Sequence, residues 1–377
     1  MQKLFIVVNE DRFFLSHRLP IALAAKNKGY KISILAKNTS HKDEIESFGF
    51  RFVEMPINPT GMNIAEEMKT FRFLYNIYRK EKPDIVHHVG LKVILWGEIA
   101  ASLANIAGRV NAFCGLGGLF NGDGHLSKIA TAILCVMRLV NSGKKVRAIF
   151  QNDDDLKILT KHKVVSKEQI YKTKGSGIDL KEFNFSPLPD NDLVTIIFTG
   201  RMVKEKGVCV LIDAANLIKK DFEGKVRFLL CGRVTPNKSS VTEEYLHEHC
   251  DGKYISWLGE RNDVKTLLKK SDIVVFPSYY REGIPKSLIE AAAIGRPIIT
   301  CNTTGCKEVV ENGVNGMLVN PRNPQELANA LIKLINNPAL RNSMSIASRR
   351  KAEREYSIEK VIDTHLKIYD SLLENKG

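Results

Sequence analysis

Short apolar runs alternate with helical patterns along the whole chain of 377 residues, and no other feature constrains the fold as strongly. Strands that are separated by helices belong to βαβ units, whose strands form parallel sheets. The sequence therefore predicts an α/β protein with two doubly wound, Rossmann-like parallel sheets, one in each half of the chain. The predicted strands are residues 4–8, 31–36, 85–88, 110–113 and 146–150 in the first half, and residues 194–199, 226–231, 273–276, 298–301 and 316–319 in the second.

The length and one linker-like stretch predict two domains. A chain of 377 residues is long for a single hydrophobic core. Residues 184–192 form a polar, proline-bearing stretch with the composition of a linker. We therefore predict a first domain over residues 1–183 and a second over residues 193–356, facing each other across a cleft.

The bulk composition is that of a soluble globular protein, with 44% hydrophobic and 26% charged residues. The seven cysteines contain no Cys-x2-Cys pair, which favours reduced thiols over a disulfide framework. The first residues do not resemble a signal peptide, and no apolar run reaches the roughly 18 to 20 residues of a membrane-spanning helix. We therefore expect a cytoplasmic protein.

The net charge of +14 is concentrated in the first half, where residues 1–185 account for +10. A basic domain can attract nucleic acid, an anionic bilayer or a phosphorylated acceptor, and no nucleic-acid-binding module is recognisable here. Residues 68–82 and 127–147 mix apolar and basic side chains in the manner of helices that lie on a bilayer. Packing in the core, with the lysines in solvent, is the default explanation for either stretch, and a lipid-linked acceptor would favour membrane contact for both.

A pair of carboxylates marks the second half, in the segment E-G-I-P-K-S-L-I-E at 282–290. If a helix begins at Pro285, its first free amides point into the preceding loop and form an anion site. Glu282 then lies before the helix and Glu290 within it. Carboxylates only accept hydrogen bonds, so this layout suits a ligand with phosphates between hydroxyl-bearing ends, such as a nucleotide sugar. Taken alone, a capped surface helix would explain the same residues.

Two permanent cations, Arg201 and Lys206, follow the predicted strand 194–199. Open α/β sheets bind ligands at the carboxyl ends of their strands, and two cations at that place suit a diphosphate. Solvated charge is the alternative explanation, and the nearby two-acid segment argues against it.

In this order and spacing, the motifs resemble the retaining family-4 glycosyltransferases, which have the GT-B fold. The similarity is specific in the second half, and in the first half it points to the branch that builds bacterial cell-surface polysaccharides on polyprenyl diphosphate. It also implies that the last helix, 357–377, packs on the first domain. The matching segments are residues 200–207, 229–236, 257–259, 271–300 and 308–319, with the more divergent 9–20, 83–89 and 115–120.

The resemblance implies a role for each residue of the donor site. Glu290 would bind the ribose hydroxyls. Glu282 and the amides that follow it would bind the sugar, and Arg201 with Lys206 would bind the diphosphate. The implied donor-binding residues are Arg201, Lys206, Arg233, Glu282, Gly283, Ile284, Pro285, Lys286, Ser287 and Glu290. The implied catalytic residues are Glu282, Lys206, Arg201 and His88.

The first half offers weaker candidates. Residues 9–20 lack the glycine pair that many family members have, so donors there would come from side chains. His87 and His88 end a strand on opposite faces, and a structural histidine is the common alternative to a functional one. Glycines at 115–118 would let the phosphate of an acceptor approach backbone amides, and a plain turn without a binding role is the alternative explanation. The implied acceptor-binding residues are Ser16, His17, Arg18, Gly115 and Gly117.

No metal or other cofactor is expected. Asp153, Asp154 and Asp155 formally contain a D-x-D metal motif, but they begin a helix, where acids favour the amino terminus. His247 and His249 do not share a helical face.

The function implied by the resemblance is a retaining hexosyltransferase that uses a nucleotide-diphosphate donor, a UDP-sugar. Its acceptor would be a polyprenyl-diphosphate-linked glycan in lipopolysaccharide or capsule synthesis, reached from a peripheral position on the inner face of the plasma membrane. Two alternatives stay open: a nucleotide-sugar epimerase or hydrolase of the same fold, and a non-catalytic sugar-binding protein. A dehydrogenase is disfavoured because no G-x-G-x-x-G follows the first strand.

Overall fold

The computed structural model describes residues 1–59, 61, 63–117, 127–235 and 239–374. It divides into two compact units, the first formed by Met1–Ser176 with Ile358–Gly377 and the second by Gly177–Ser357. Each unit contains one sheet whose strands are all parallel, with helices in the connections. The predicted α/β class with two parallel sheets is confirmed.

The first unit holds seven strands in its described part. The strands are β1 Lys3–Glu10, β2 Lys31–Lys37, β3 Arg51–Glu54, β4 Ile85–Val89, β5 Gly108–Phe113, β6 Val146–Phe150 and β7 Ile170–Lys172. The helices between them are α1 Asp11–His17, α2 Leu19–Asn27, α3 Lys42–Ser47, α4 Ile64–Glu81, α5 Leu91–Leu103, α6 Lys128–Val140 and α7 Asp153–Lys161. The strand order is β3-β2-β1-β4-β5-β6-β7, so the direction of winding reverses between β1 and β4. Strand β4 is buried along its whole length, as expected of a parallel sheet covered on both faces.

The second unit holds six strands in its described part. They are β8 Val194–Thr199, β9 Val226–Cys231, β10 Ile255–Trp257, β11 Ile273–Phe276, β12 Ile298–Cys301 and β13 Gly316–Val319. The helices are α8 Val208–Phe222, α9 Glu243–His249, α10 Val264–Lys269, α11 Lys286–Ile294, α12 Pro324–Ile335 and α13 Pro338–Glu355. The order β10-β9-β8-β11-β12-β13 places the reversal between β8 and β11.

The last helix, α14 Ile358–Leu373, belongs to the first unit although it ends the described chain. Its apolar side joins the core around α2, and the Tyr369 hydroxyl lies 2.7 Å from Nδ1 of His87 in β4. The predicted packing of the last helix on the first domain is therefore found, while residues 375–377 of that prediction lie outside the described residues.

The boundary between the units differs from the predicted one. Residues 177–183 belong to the second unit, because the Ile178 amide donates to the Tyr356 carbonyl at 2.8 Å and Arg349 donates to the Phe183 carbonyl at 2.8 Å. The proline-bearing stretch 184–192 lies in the same unit, where Arg296 donates to the Pro187 carbonyl at 2.9 Å. Long arginine side chains from distant positions bind this segment, so its composition alone gave the wrong impression of a linker.

Candidate functional site

The reversal of winding in the second unit creates the place where a ligand is expected. Strands β8 and β11 are neighbours and run parallel, so their carboxyl ends lie at one edge of the sheet. The loop after β8 carries Arg201 and Lys206, and the loop after β11 carries Glu282. In open α/β sheets this reversal point is where ligands bind.

Two glycines let these loops approach their neighbours closely. A Cβ atom on Gly207, whose φ is +81°, would lie 2.2 Å from the Pro277 carbonyl oxygen. A Cβ atom on Gly232 would lie 1.7 Å from the Gly200 carbonyl oxygen. Only glycine fits either position, so the loop that carries the two cations is held by backbone packing.

Lys206 and Glu282 form the centre of the candidate site. Lys206 Nζ lies 3.0 Å from Glu282 Oε1 and 4.8 Å from the centroid of the Phe276 ring. Ser278 Oγ donates to the same carboxylate oxygen at 3.4 Å. The Lys206 and Glu282 side chains are 15% and 17% exposed, so the pair is fixed in position and still open to a ligand.

A third loop, residues 303–305 after β12, supports Glu282 from behind. The Glu282 amide donates to the Thr304 carbonyl at 3.3 Å, and Thr303 Oγ1 donates to the Ser278 carbonyl at 2.9 Å. A Cβ atom on Gly305 would lie 1.5 Å from the Gly283 carbonyl oxygen. Sequence reasoning missed this loop, although a glycine four residues after the end of β12 was a usable signal.

Helix α11 begins at Lys286, one residue later than the sequence suggested. Pro285 is its N-cap residue with ψ of 125°, so the expectation that Pro285 is the first helical residue is corrected. The Leu288 amide donates to the Pro285 carbonyl at 3.1 Å and is not a free donor. Ser287 lies in the first turn, where amides have no acceptor inside the helix. Gly283, Ile284 and Pro285 are buried in the turn before the helix.

Glu290 lies one turn inside α11. Its Oε1 is 3.7 Å from the Nζ atom of Lys286, four residues earlier. Burial raises the pKa of Glu290, and Lys286 opposes that shift without cancelling it. A carboxylate with so long an ion-pair contact is suited to exchange it for hydroxyl donors of a ligand.

Arg201 and Arg233 bring positive charge to the same edge of the sheet. The Met202 amide donates to the Arg233 carbonyl at 2.9 Å, which ties the loops after β8 and β9 together. Arg201 is exposed and Arg233 is half-buried, and neither side chain has an ion pair with any residue of the described ranges. Uncompensated guanidinium groups in this position favour an anionic ligand.

The catalytic role expected of His88 does not fit its placement. His88 is fully buried, with Nε2 3.1 Å from the Tyr78 hydroxyl and Nδ1 2.9 Å from Asn111 Oδ1. Both ring nitrogens are used inside the first unit, so neither is available to a substrate. His87 points to the opposite face, and burial lowers its pKa well below the usual value.

The residues expected to bind an acceptor lie at the carboxyl edge of the first sheet. Ser16 Oγ donates to the Arg12 carbonyl at 2.9 Å, and the His17 ring stacks on Phe13 with centroids 4.3 Å apart. Arg18 is only 2% exposed; it donates to the His17 carbonyl at 3.0 Å and to Cys114 Sγ at 3.1 Å.

Arg18 has no ion pair with a residue of the described ranges, and its Nε has no hydrogen-bond partner there. It is therefore a buried positive charge beneath the loop that begins at Cys114, rather than an exposed donor. In that loop Gly115 and Gly117 have φ of 104° and 65°, which favours glycine. Gly118 and the remainder of the 115–120 motif lie outside the described residues.

The aspartates of the D-x-D pattern occupy the first turn of α7, as expected of acids at a helix amino terminus. The cap itself is Asn152, whose side chain accepts from the Asp155 amide at 2.8 Å. Within the described ranges, no three His, Cys, Asp or Glu side chains converge as metal ligands would.

Two family models match this chain. Residues 179–351 match the model for glycosyl transferases group 1, and residues 3–150 match the model for glycosyl transferase 4-like proteins. The chain belongs to the family-4 glycosyltransferases. The first match lies in the second unit and includes every residue of the candidate site around Lys206 and Glu282, and the second match lies in the first unit.

Relatives of this glycosyltransferase act in bacterial glycan assembly. It is 23% identical to the N,N'-diacetylbacillosaminyl-diphospho-undecaprenol alpha-1,3-N-acetylgalactosaminyltransferase of Campylobacter jejuni, over 96% of this chain and 99% of that protein. It is 26% identical to the UDP-Gal:alpha-D-GlcNAc-diphosphoundecaprenol alpha-1,3-galactosyltransferase of Escherichia coli, over 93% and 91% of the two chains. A capsular polysaccharide glycosyltransferase of Staphylococcus aureus, CapM, is also 26% identical, over 85% and 86%.

Solved structures confirm the fold of this glycosyltransferase. A glycosyltransferase from Rickettsia africae matches 100% of this chain and 99% of its own, with a TM-score of 0.79 and 19% identity. Anabaena HepE in complex with UDP and glucose matches 98% of this chain and 100% of its own, with a TM-score of 0.77 and 17% identity. The predicted GT-B fold is thereby confirmed.

Proposed function

We propose that this glycosyltransferase moves a sugar, with retention of configuration, from a UDP-sugar to a polyprenyl-diphosphate-linked glycan. The observation that carries the proposal is the Lys206–Glu282 pair at the reversal point of the second sheet, with Nζ and Oε1 3.0 Å apart. An ammonium and a carboxylate side by side match a diphosphate next to sugar hydroxyls, which is the junction that a donor presents.

Charge develops on the donor diphosphate as the bond between the sugar and its phosphate oxygen breaks. Arg201 and Lys206 are fixed cations at this place, and the amino terminus of α11 adds an oriented dipole. Groups that are already aimed at developing charge stabilise the transition state more than the ground state. We propose that they neutralise the leaving diphosphate without a divalent metal ion.

Retention requires that the new bond form on the face from which the donor phosphate departs. Both carboxylates of the site are engaged with lysines, Glu282 with Lys206 and Glu290 with Lys286, which argues against their acting as nucleophiles. We propose same-face attack by an acceptor hydroxyl. Its oxygen bonds to the anomeric carbon, the carbon–oxygen bond to the diphosphate breaks, and the leaving phosphate takes the hydroxyl proton.

The proposed acceptor and donor base rest on the relatives. The Campylobacter and Escherichia proteins are named for diphospho-undecaprenol acceptors, the Escherichia protein also for UDP-Gal, and HepE was solved with UDP. In this chain, buried Arg18 supplies an uncompensated positive charge beneath the 115–117 loop of the first unit, as an acceptor diphosphate would require. We propose that the enzyme meets this acceptor peripherally, at the inner face of the plasma membrane; in the described residues no helix is long and apolar enough to span a bilayer.

Release of free nucleotide tests the whole proposal. Nucleotide sugars are incubated with the protein in EDTA, with and without a short-chain polyprenyl-diphosphate glycan, and the anomeric configuration of the product is read by NMR. We expect UDP release that depends on acceptor and persists in EDTA, with a retained anomer. Donor consumption without acceptor would indicate an epimerase or hydrolase, and donor binding without turnover would indicate a sugar-binding protein.

A further inference from the structure

Trp257 ends the edge strand β10, and the site around Lys206 and Glu282 does not include it. Its side chain is half-buried, packs against the core of the second unit and forms a T-shaped contact with the His247 ring, with centroids 5.5 Å apart. Its indole Nε1 donates to the Gly232 carbonyl at 2.9 Å. Phenylalanine would provide a similar apolar surface without a donor, so this hydrogen bond is what distinguishes tryptophan at this position.

The acceptor of this hydrogen bond, Gly232, is the first residue after β9. It has to be glycine, because a Cβ atom there would collide with the Gly200 carbonyl oxygen. Glycine is also the residue with the greatest backbone freedom, so such a position must be held by other means. The Gly232 amide donates to the Gly259 carbonyl at 2.8 Å, and its carbonyl accepts from the indole. Two hydrogen bonds from β10 and the residues after it therefore fix the backbone of Gly232.

The same contacts fix the backbone of Arg233. The peptide group that joins Gly232 to Arg233 contains the carbonyl that Trp257 holds. The next peptide group contains the Arg233 carbonyl, which accepts from the Met202 amide at 2.9 Å. The Arg233 Cα atom therefore lies between two peptide groups, each held by a different neighbouring segment. A guanidinium on a fixed backbone loses less conformational freedom when it binds an anion.

The position of Arg233 in the sheet suits the phosphates of the donor. Strand β9 is the parallel neighbour of β8, so the loop that carries Arg233 lies beside the loop that carries Arg201 and Lys206. Strand β9 is not adjacent to β11, which leads to Glu282. We therefore expect Arg233 to contribute to the affinity for the diphosphate rather than to the sugar contacts of Glu282.

We propose that Trp257 is a positioning residue for the nucleotide donor. Its indole N–H fixes the Gly232–Arg233 peptide and thereby holds the Arg233 guanidinium ready for the diphosphate. The inference rests on the proposed nucleotide-diphosphate donor, and it names a residue that sets donor affinity through another side chain. The competing explanation is that Trp257 only fills space at the edge of the sheet.

A double-mutant cycle with Trp257→Phe and Arg233→Ala separates the two explanations. We expect Trp257→Phe to weaken UDP binding, measured by calorimetry, about fivefold in the wild-type chain and less than about twofold in the Arg233→Ala chain. Equal weakening in both chains would mean that the loss of packing acts without Arg233, and it would overturn the proposal. Unchanged UDP affinity in Arg233→Ala alone would also overturn it.

The other tryptophan of the chain, Trp96, provides the matched control. It is also half-buried, and its indole Nε1 donates to Glu67 in the first unit. Trp96→Phe therefore removes the same kind of hydrogen bond away from the donor site. We expect its UDP affinity to equal that of the wild type, and a fivefold loss there would count against a specific role of Trp257.

Hydrogen exchange tests the same coupling without changing Trp257. In the Trp96→Phe chain Trp257 is the only tryptophan, so the proton–nitrogen NMR spectrum contains one indole signal. Coupling between two sites is reciprocal, so saturating UDP should slow exchange of this indole hydrogen about fivefold. An unchanged exchange rate would overturn the proposal.

GDP serves as a second probe, because it carries the same diphosphate. Coupling between Trp257 and Arg233 that is measured with GDP, in a protein that does not bind UDP, would support the positioning role and count against the proposed donor alone. UDP binding with equal effects of Trp257→Phe in both chains would count against the positioning role alone.

Discussion

Lys206 and Glu282 are 76 positions apart in the chain, and their side chains meet at 3.0 Å. Each follows a different strand of the second sheet, and the two strands, β8 and β11, are adjacent only because the winding reverses between them. The topology therefore assembles a cation and an anion at one edge without any local sequence signal for their contact.

Replacement of Lys206 by alanine is expected to lower turnover by a hundredfold or more. The variant removes a fixed cation from the leaving diphosphate, a type of contribution worth about 3 to 4 kcal/mol in transition-state stabilisation. The readout is acceptor-dependent UDP release, with thermal unfolding to show that the fold is intact. Lys204→Ala is the matched control, because Lys204 lies in the same turn and is exposed. Wild-type turnover in Lys206→Ala would refute the assignment.

The two members of the pair should act as a unit. Glu282→Ala alone is expected to cost a hundredfold or more in turnover, because it loses a sugar contact and also frees Lys206 from its position. Residues that share one task give losses that do not add. We therefore expect the double variant with Lys206→Ala to be at most about tenfold slower than the slower single variant. Fully multiplied losses in kcat would show that the two side chains work independently.

The sequence predicted every central strand, but it predicted only one of the four edge strands, β13. All ten predicted runs are strands. They include β11, which is apolar on both faces, and β4, which is buried along its length although it contains His87 and His88. The three strands that the sequence did not show are β3, β7 and β10, each at an edge of its sheet and only 3 or 4 residues long. Edge strands bury little surface, so their residues need not be apolar.

The sequence predicts those site residues that belong to one short motif. It does not predict the environment of a residue whose neighbours come from distant parts of the chain. Glu282, Glu290 and Lys206 could be read from their segments. The structural role of His88 could not be predicted, because it depends on Tyr78 in α4 and Asn111 in β5, whose side chains hydrogen-bond with the two ring nitrogens. The same holds for Arg18, whose burial depends on how the 114–117 loop covers it.

The contact between the 303–305 loop and the Glu282 loop can be tested without changing any polar side chain. Gly305 has φ of +86°, and an added Cβ would lie 1.5 Å from the Gly283 carbonyl, so Gly305→Ala must displace the Glu282 loop. We expect weaker donor binding, measured by calorimetry with UDP, and a loss of about 1 to 3 kcal/mol in unfolding free energy. Gly313→Ala is the control, because Gly313 has φ of +81° with nothing within 4 Å of its Cβ position. The two variants therefore share the backbone strain of an alanine at positive φ, but only Gly305→Ala brings its Cβ into collision with another loop. An equal loss of UDP affinity in both variants would contradict the role of the 303–305 loop.

Two buried histidines should make the first unit sensitive to mild acid. Burial lowers the pKa of His365 from 6.5 to about 3 and that of His87 well below 6.5, and Arg18 adds to both shifts. The unfolded chain therefore binds protons that the folded state excludes, so stability is constant above about pH 6.5 and falls below it by about 1.4 kcal/mol per pH unit for each histidine. Chemical unfolding between about pH 6.5 and 5 avoids most carboxylate titration and measures this slope. His365→Gln should reduce it by about half. His162→Gln, at a half-exposed position of the same unit, is the matched control for the loss of an imidazole. An unaltered slope in His365→Gln would mean that the histidine is protonated in the folded state, and that the α14 helix adjusts to accept the charge beside Arg18.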